Sequence, residues 1–409
     1  MKQKTKLKQT EIGRIPEDWE VKKLNEVCEQ IFSGGTPNTQ IEKYWNGKLK
    51  WLSSGETRQT FIRDTERKIT REGVDNSSTR LAKKEDVVVA GAGQGHTRGQ
   101  PSVCLVDTYV NQSVVVLRSN RNKINPFFLF YNLLSRYNEL RQLSDAHSSR
   151  GSLTTKLLAE LLIKLPSLPK QEIMAKILLD LDFKIELNNK MNKTLEAIGQ
   201  ALFKKWFVDE WKDEWKIKAL PEIAEVIDCL HTKKPEQEEG GKLLLQFYNI
   251  GKSGLLNLNE KYFISEEDYD IWTKNIEVRG GDILINNAGF SGNISQVPYN
   301  FKAGIGKNIT AIRTTALSPF YLLLFLQSQL GNTEIEKNID RGTIFDSLNV
   351  KGIRKIEVLI PDKNTLVEFD KRIKPMRKIM EKNFYENYSL EKIRDALLPK
   401  LMNGEIRAG

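Results

Sequence analysis

Leu195-Glu196-Ala197-Ile198 and Leu390-Glu391-Lys392-Ile393 stand 195 residues apart and close two copies of one pattern. Working outward from them, Ile163-Lys164-Leu165-Pro166 answers to Val358-Leu359-Ile360-Pro361, and Arg150-Gly151 to Arg341-Gly342. Asn125-Pro126-Phe127-Phe128-Leu129 answers to Ser318-Pro319-Phe320-Tyr321-Leu322, and Lys84-Glu85-Asp86-Val87-Val88-Val89 to Gly280-Gly281-Asp282-Ile283-Leu284-Ile285. Asp18-Trp19-Glu20-Val21-Lys22-Lys23-Leu24 heads the first copy and Glu214-Trp215-Lys216-Ile217-Lys218-Ala219-Leu220 the second. Six matches in one order at a nearly constant offset mark a duplication. A period this long excludes a solenoid, whose repeats run to about 20–50 residues.

Each copy has the same internal order. A mixed region carries short β-branched runs, such as Asp86 to Ala90 and Ser113 to Leu117, between Gly, Asn and Ser clusters. A short helix then opens at Asn125-Pro126 or Ser318-Pro319, a capping residue followed by proline at the first helical position. A brief strand ending at Pro166 or Pro361 leads into a long helix. Ile173, Ile177, Leu181, Ile185, Asn188, Met191, Leu195, Ile198, Leu202 and Trp206 recur at steps of three and four. Phe369, Ile373, Met380, Phe384, Asn387, Leu390, Ile393, Leu397 and Leu401 do much the same. Such spacing on two equivalent segments predicts two helices packed lengthwise, as in a coiled coil. The other reading is two amphipathic helices, each lying on its own domain. Lys170 to Trp206 spans ~55 Å at about 1.5 Å per residue. Pro375 is expected to kink or delay the second helix.

At 409 residues the chain has room for two or three domains, and 39% hydrophobic with 28% charged residues fits a folded globular protein. The longest apolar run, Phe320 to Leu326, is far short of the ~18 residues a membrane span needs. The basic start leads into polar sequence without an apolar core, so no secretory signal is expected. Three cysteines cannot build a disulfide framework, and a reducing cytoplasm is the expected location. The formal charge of +10 is lopsided: residues 1–210 hold 34 basic against 25 acidic side chains. Part of that excess is Lys2, Lys4, Lys6 and Lys8, expected on a mobile tail.

Catalytic signatures are missing. Asn125-Pro126-Phe127-Phe128 comes near the Asn-Pro-Pro-Tyr/Phe signature of amino-methylating enzymes, but lacks the second proline and is matched by Ser318-Pro319 in the other copy. Gly91-Ala92-Gly93-Gln94-Gly95 does not have dinucleotide-binding spacing, and Gly251-Lys252-Ser253 lacks the upstream glycine of a phosphate-binding loop. His96, His147, His231, Cys28, Cys104 and Cys229 show no metal-ligand spacing. No catalytic, cofactor-binding or metal residue is therefore assigned.

Thr10-Glu11-Ile12-Gly13-Arg14-Ile15-Pro16-Glu17-Asp18-Trp19-Glu20-Val21 and Phe32-Ser33-Gly34-Gly35-Thr36-Pro37 are similar to the opening of the specificity (S) subunits of type I restriction-modification systems. Leu165-Pro166, Gln171-Glu172 and Leu195-Glu196-Ala197-Ile198-Gly199-Gln200-Ala201-Leu202-Phe203 resemble their central helical region, and Leu397-Leu398-Pro399-Lys400-Leu401-Met402-Asn403-Gly404-Glu405-Ile406 their ending. The second copy departs at the glycine loop, where Cys229-Leu230-His231-Thr232-Lys233-Lys234-Pro235 stands. The resemblance implies an α+β chain: two similar α/β target-recognition domains joined by two long antiparallel coiled-coil-like helices, with an internal pseudo-twofold repeat. Expected bounds are 1–155 and 211–350 for the recognition domains, and 156–210 and 351–409 for the helical regions. It implies a non-catalytic subunit whose domains each read half of a bipartite, asymmetric site on double-stranded DNA. Its helices set the spacing and dock two modification subunits, which bind S-adenosylmethionine and methylate adenine; ATP-driven restriction subunits join them, and no membrane is involved. The competing classes are a stand-alone methyltransferase or nuclease, which needs motifs absent above, and a two-domain scaffold that binds protein only.

Reading bases requires side chains that pair donors with acceptors. The strand-following loops supply Gln94, His96, Arg98 and Gln100 in the first copy and Asn286, Asn287, Ser291 and Asn293 in the second. Thr36, Arg58, Lys83 and Lys233 complete the candidate DNA contacts, although any one of these residues also reads as a turn former or a solvated charge. Helix pairing is assigned to Ile177, Leu181, Ile185, Leu195 and Leu202 against Ile373, Met380, Leu390 and Leu397.

Overall fold

The computed structural model describes residues 6–92, 97–146, 151–251, 253–287, 293–341 and 346–406. The chain divides into two compact units, Met1–Phe183 with Leu390–Gly409, and Lys184–Ser389. Both are built to one plan. In the first unit a five-stranded sheet runs in the order Cys28–Ser33, Val114–Ser119, Val87–Ala90, Pro101–Cys104, Phe61–Ile62. A four-stranded sheet follows the order Arg67–Ile69, Trp45–Leu52, Thr108–Val110, Arg80–Ala82. The second unit repeats this with Ala224–Asp228, Ile309–Thr314, Ile283–Asn286, Ile294–Gln296, Gly254–Leu255, and with Phe263–Ile264, Lys242–Leu245, Lys302–Ile305, Val278–Arg279.

Burial on both faces explains the unbroken apolar strands. Val87 and Val89 pack with Phe128 and Leu129 of the helix Pro126–Ser135, while Val88 turns into a core with Leu52, Ala82 and Val110 of the other sheet. Ile283 and Ile285 meet Tyr321 and Phe325 of Pro319–Gln327, while Leu284 packs with Leu245 and Ala303. Asn125 caps its helix as expected, accepting from the backbone N–H of Phe127 and Phe128. Ser318 does not cap; its hydroxyl donates to Asp370 at 2.6 Å instead. Each unit also carries one buried ion pair at the same place in the repeat. Arg118 holds Asp86 at 2.7 Å, and Arg313 holds Asp282 at 2.6 Å. In both copies the aspartate also accepts a backbone N–H three residues upstream, from Lys83 and Arg279.

The long helices are Leu168–Lys204, continued by a π-turn at Lys205–Asp209, and Lys363–Met402. Pro375 neither delays nor ends the second helix. It lies on an exposed face, where the carbonyl of Lys371 that loses its donor is open to water. The N-terminal lysines correct a second expectation. Leu7–Thr10 pairs with Gly13–Pro16 as a hairpin, so Lys8 is held rather than trailing; Lys2 and Lys4 lie outside the described residues.

In the first unit, Met174, Ala175 and Leu178 share a core with Leu398, Leu401 and Met402, and Arg394 donates to Asp182 at 2.8 Å. Asp182 also accepts the Tyr131 hydroxyl at 2.6 Å, which ties this helix to the sheet layer through Pro126–Ser135. In the second unit the seam is polar. Asn188 donates to Asn387 at 2.8 Å, and Asn383 donates to Asn192 at 2.8 Å. Asn387 in turn donates to Asn189 at 2.9 Å. As the first helix advances from 188 to 192, its partner retreats from 387 to 383, so the two run antiparallel. Asn188 with Asn383 and Asn192 with Asn387 are repeat-equivalent, each 195 residues apart, so the two hydrogen-bonded pairs are images of each other.

The seam sits one position along from the expected stripe. Ile373 and Met380 are buried, and Leu181, Ile185, Leu195, Leu202, Leu390 and Leu397 are half-buried, but Ile177 is 37% exposed and does not pair. Buried positions are Met174, Leu178, Asp182, Asn188, Asn192, Gly199 and Phe203. Apolar periodicity located the flank of the seam, because polar residues occupy much of its centre.

Asn387→Ala removes one acceptor of the buried Asn188 amide and should cost about 1–2 kcal/mol in urea unfolding of the second unit. Adding Asn188→Ala should cost less than the sum of the single changes by about 1 kcal/mol. Strict additivity would mean that the pair does not couple.

Candidate nucleic-acid interface

Strand register gathers a set of loops at one end of each five-stranded sheet. Ser33 pairs with Val115, Val114 with Ala90, and Pro101 with Val89, so the segments after Ser33, after Ala90 and before Val114 emerge side by side. The segment Ser54–Arg58 joins them, because Leu52 accepts from the backbone N–H of Asn111 and Ser102 donates to the Thr57 carbonyl at 2.9 Å.

This end holds Thr36, Arg58, Arg98 and Gln100. The Thr36 hydroxyl donates to Gln112 at 2.6 Å, and the exposed Arg58 pairs with Glu66 at 3.0 Å. Gln100 is half-buried, and its carbonyl accepts from Ala90. Arg98 is only 6% exposed, ion-paired to Asp145 and pressed against Gly151, where its guanidinium fills the place a Cβ would take. An arginine placed so shapes the loop from within. Lys83 lies at the opposite end of the sheet, beside Lys84 and Arg121, around a cleft of about 240 Å³. Gln94 and His96 fall outside the described residues, as do Arg150 and Gly342 of the repeat matches.

The second unit gathers the corresponding end. Asp228 pairs with Thr310, and Asn286 with Ile309, so the segments after Asp228, after Asn286 and before Ile309 converge. Lys233 is exposed on the first of these. Asn286 and Asn287 are buried and tie loops together. The Asn286 amide donates to the Phe247 carbonyl at 3.1 Å, and the Asn287 backbone bridges Asn308 and Leu348. Asn293 is half-buried at the far side of that loop, and Ser291 lies outside the described residues.

Two residues here had no sequence signal. Gln112 lies in an ordinary Asn-Gln-Ser turn between strands. Phe247 follows the apolar run Leu243-Leu244-Leu245 and reads as more core, yet it is 59% exposed. Only the close of the strand at Leu245, followed by a 3-10 turn at Phe247–Asn249, turns it outward.

Burial pushes Cys28 up to about 12 and raises Cys104 and Cys229 as well. No described helix is long and apolar enough to cross a membrane.

Residues 16–197 match the family model described as the type I restriction modification DNA specificity domain. The type I restriction enzyme MjaIX specificity subunit of Methanocaldococcus jannaschii is 26% identical, over 98% of this chain and 97% of its own length. The HindI specificity subunit of Haemophilus influenzae is 27% identical, over 74% of this chain and 82% of its own. The crystal structure of a type I restriction-modification S subunit from M. genitalium shares the fold, with a TM-score of 0.57 at 18% identity over 97% of this chain and 98% of that one. The domain match over residues 16–197 and the relatives aligned along nearly the whole chain make it similar to the specificity subunits of type I restriction-modification systems.

Proposed function

We propose that this chain is the sequence-specificity subunit of a type I restriction-modification complex, reading DNA and leaving methyl transfer and cleavage to partner subunits. One observation carries the reading: the same two-sheet unit occurs twice, its loop-bearing end built from different side chains in each copy. A duplicated scaffold with diverged loops suits a bipartite, asymmetric site, because each loop set offers its own pattern of donors and acceptors to base edges. The recognition domains are residues 1–155 and 211–350, with 156–210 and 351–409 as the helical regions. In the first domain the contacts come from Thr36, Arg58, Gln100 and Gln112, with Arg98 supporting the loop; in the second they come from Lys233, Phe247 and Asn293.

The long helices serve as a ruler and as a docking surface. DNA rises ~3.4 Å per base pair, so helix length converts into spacing between half-sites. Leu187 is 55% exposed, and Ile173, Ile177, Met191 and Ile198 are exposed on the same helix, an apolar display that a free surface rarely carries. Modification subunits that bind S-adenosylmethionine are the occupants, and ATP-driven restriction subunits join the complex they form.

Selection of bound duplexes from a random pool, with modification subunits present, tests the reading. Gln112→Ala should relax preference at one half-site by about tenfold, the worth of one good base contact, and leave the other half unchanged. Equal relaxation at both halves would contradict two independent readers. Deleting a whole number of turns from both long helices should shift the preferred spacer and leave both half-sites intact; an unchanged spacer removes the ruler. Leu187→Glu should abolish co-purification of the modification subunits while the unfolding transition stays in place. Retained co-purification would move the docking surface elsewhere.

A further inference from the structure

Asp228, Cys229 and His231 form the one group of three His, Cys, Asp or Glu residues with metal-binding geometry among the described residues. Asp228 ends the strand Ala224–Asp228, and the next three residues stand where Gly34, Gly35 and Thr36 stand in the first copy, since Ser33 pairs with Val115 and Asp228 with Thr310. The first copy fastens this loop by backbone packing that only glycine permits. A Cβ on Gly34 would lie 2.0 Å from the Val110 carbonyl oxygen, and one on Gly35 would lie 2.0 Å from Ser78 Oγ. The second copy has neither glycine, so its loop is held by other means.

We propose that a zinc ion, bound by Cys229 Sγ, His231 Nε2 and an Asp228 carboxylate oxygen, fastens the loop of the second unit. The three donor atoms lie within 4.8 Å of one another. Asp228 Oδ2 is 3.0 Å and Cys229 Sγ 4.0 Å from His231 Nε2. With zinc–sulfur bonds of about 2.3 Å and zinc–nitrogen and zinc–oxygen bonds of about 2.0–2.2 Å, neighbouring corners of a tetrahedron lie about 3.4–3.6 Å apart. Shifts of about half an ångström in each of the two separations therefore admit the ion. Thiolate, imidazole and carboxylate together suit zinc better than magnesium or calcium. Asp228 Oδ1 is buried without a hydrogen-bond partner among the described residues. Cys229 is buried and His231 exposed, which combines a rigid anchor with an entry path for the ion. Water completes the fourth position.

Occupancy of this site does not depend on the DNA-reading role, so it is tested without DNA. The full chain, free of any histidine tag and stripped of metal, is titrated with zinc chloride by calorimetry and in competition with a colorimetric chelator. One equivalent should bind. His231→Ala and Cys229→Ser should each weaken binding by about 100-fold or more, since even outer-sphere changes cost 10–100-fold. Cobalt(II) should give a thiolate charge-transfer band that persists in Cys28→Ser and disappears in Cys229→Ser. Hydrogen exchange over residues 229–235 should slow when zinc is added. If Cys229→Ser does not fold, Asp228→Asn and His231→Ala, altered outside the core, carry the test. No stoichiometric binding, or equal affinity in the ligand variants, would overturn the proposal and leave Asp228 and His231 a simple ion pair beside a buried thiol.

Discussion

Four asparagine amides in the helix seam are the constraint on which the rest of the second unit rests. Buried amides must pair, because leaving a donor or acceptor without a partner costs about 1–3 kcal/mol. Asn188 pairs with Asn387 and Asn192 with Asn383 at a single antiparallel register. Sliding one helix by a residue would break both pairs. Leucines in these places would pack well but tolerate several registers, so the polar layer exchanges some stability for uniqueness.

The same physics appears in the first unit with different chemistry. There Arg394 meets Asp182, which also holds the Tyr131 hydroxyl. The repeat-equivalent of Asp182 is Arg377, which in the second unit donates to Gln296 at 2.9 Å and to the Gly254 carbonyl at 3.2 Å. Burial lowers Arg377 to about 10. Each helix is thus tied to its own sheet layer by a buried polar group that the other copy does not share. A duplicated chain risks pairing its parts wrongly, and unlike fastenings at equivalent places oppose that error.

Differences between the copies matter most at the loop-bearing sheet ends. The strands, the helix on the first sheet and the buried Arg–Asp pair are retained from one copy to the other, while the loops diverge in composition and in how they are held. Gly34 and Gly35 press against backbone and side chain in the first copy, and Cys229 and Leu230 take their places in the second. A constant frame with changeable ends allows one recognition surface to vary without disturbing the other.

By itself the sequence determined the duplication, the element order within each copy, the Asn125 cap and the long helices, because these depend on local spacing and on matches between residues 195 apart. It also pointed to the family, through the opening and closing motifs. Tertiary structure alone decided which face of each helix is the seam. Apolar side chains are exposed at Ile177 and Leu187, while Asp182, Asn188 and Asn192 are buried, so apolar spacing alone does not separate the seam from its flank. It also decided that Arg98 is buried, that Phe247 is exposed and that Asp228, Cys229 and His231 converge. Each of these depends on where a strand stops and which segment crosses its end, a matter of long-range pairing that no local pattern encodes.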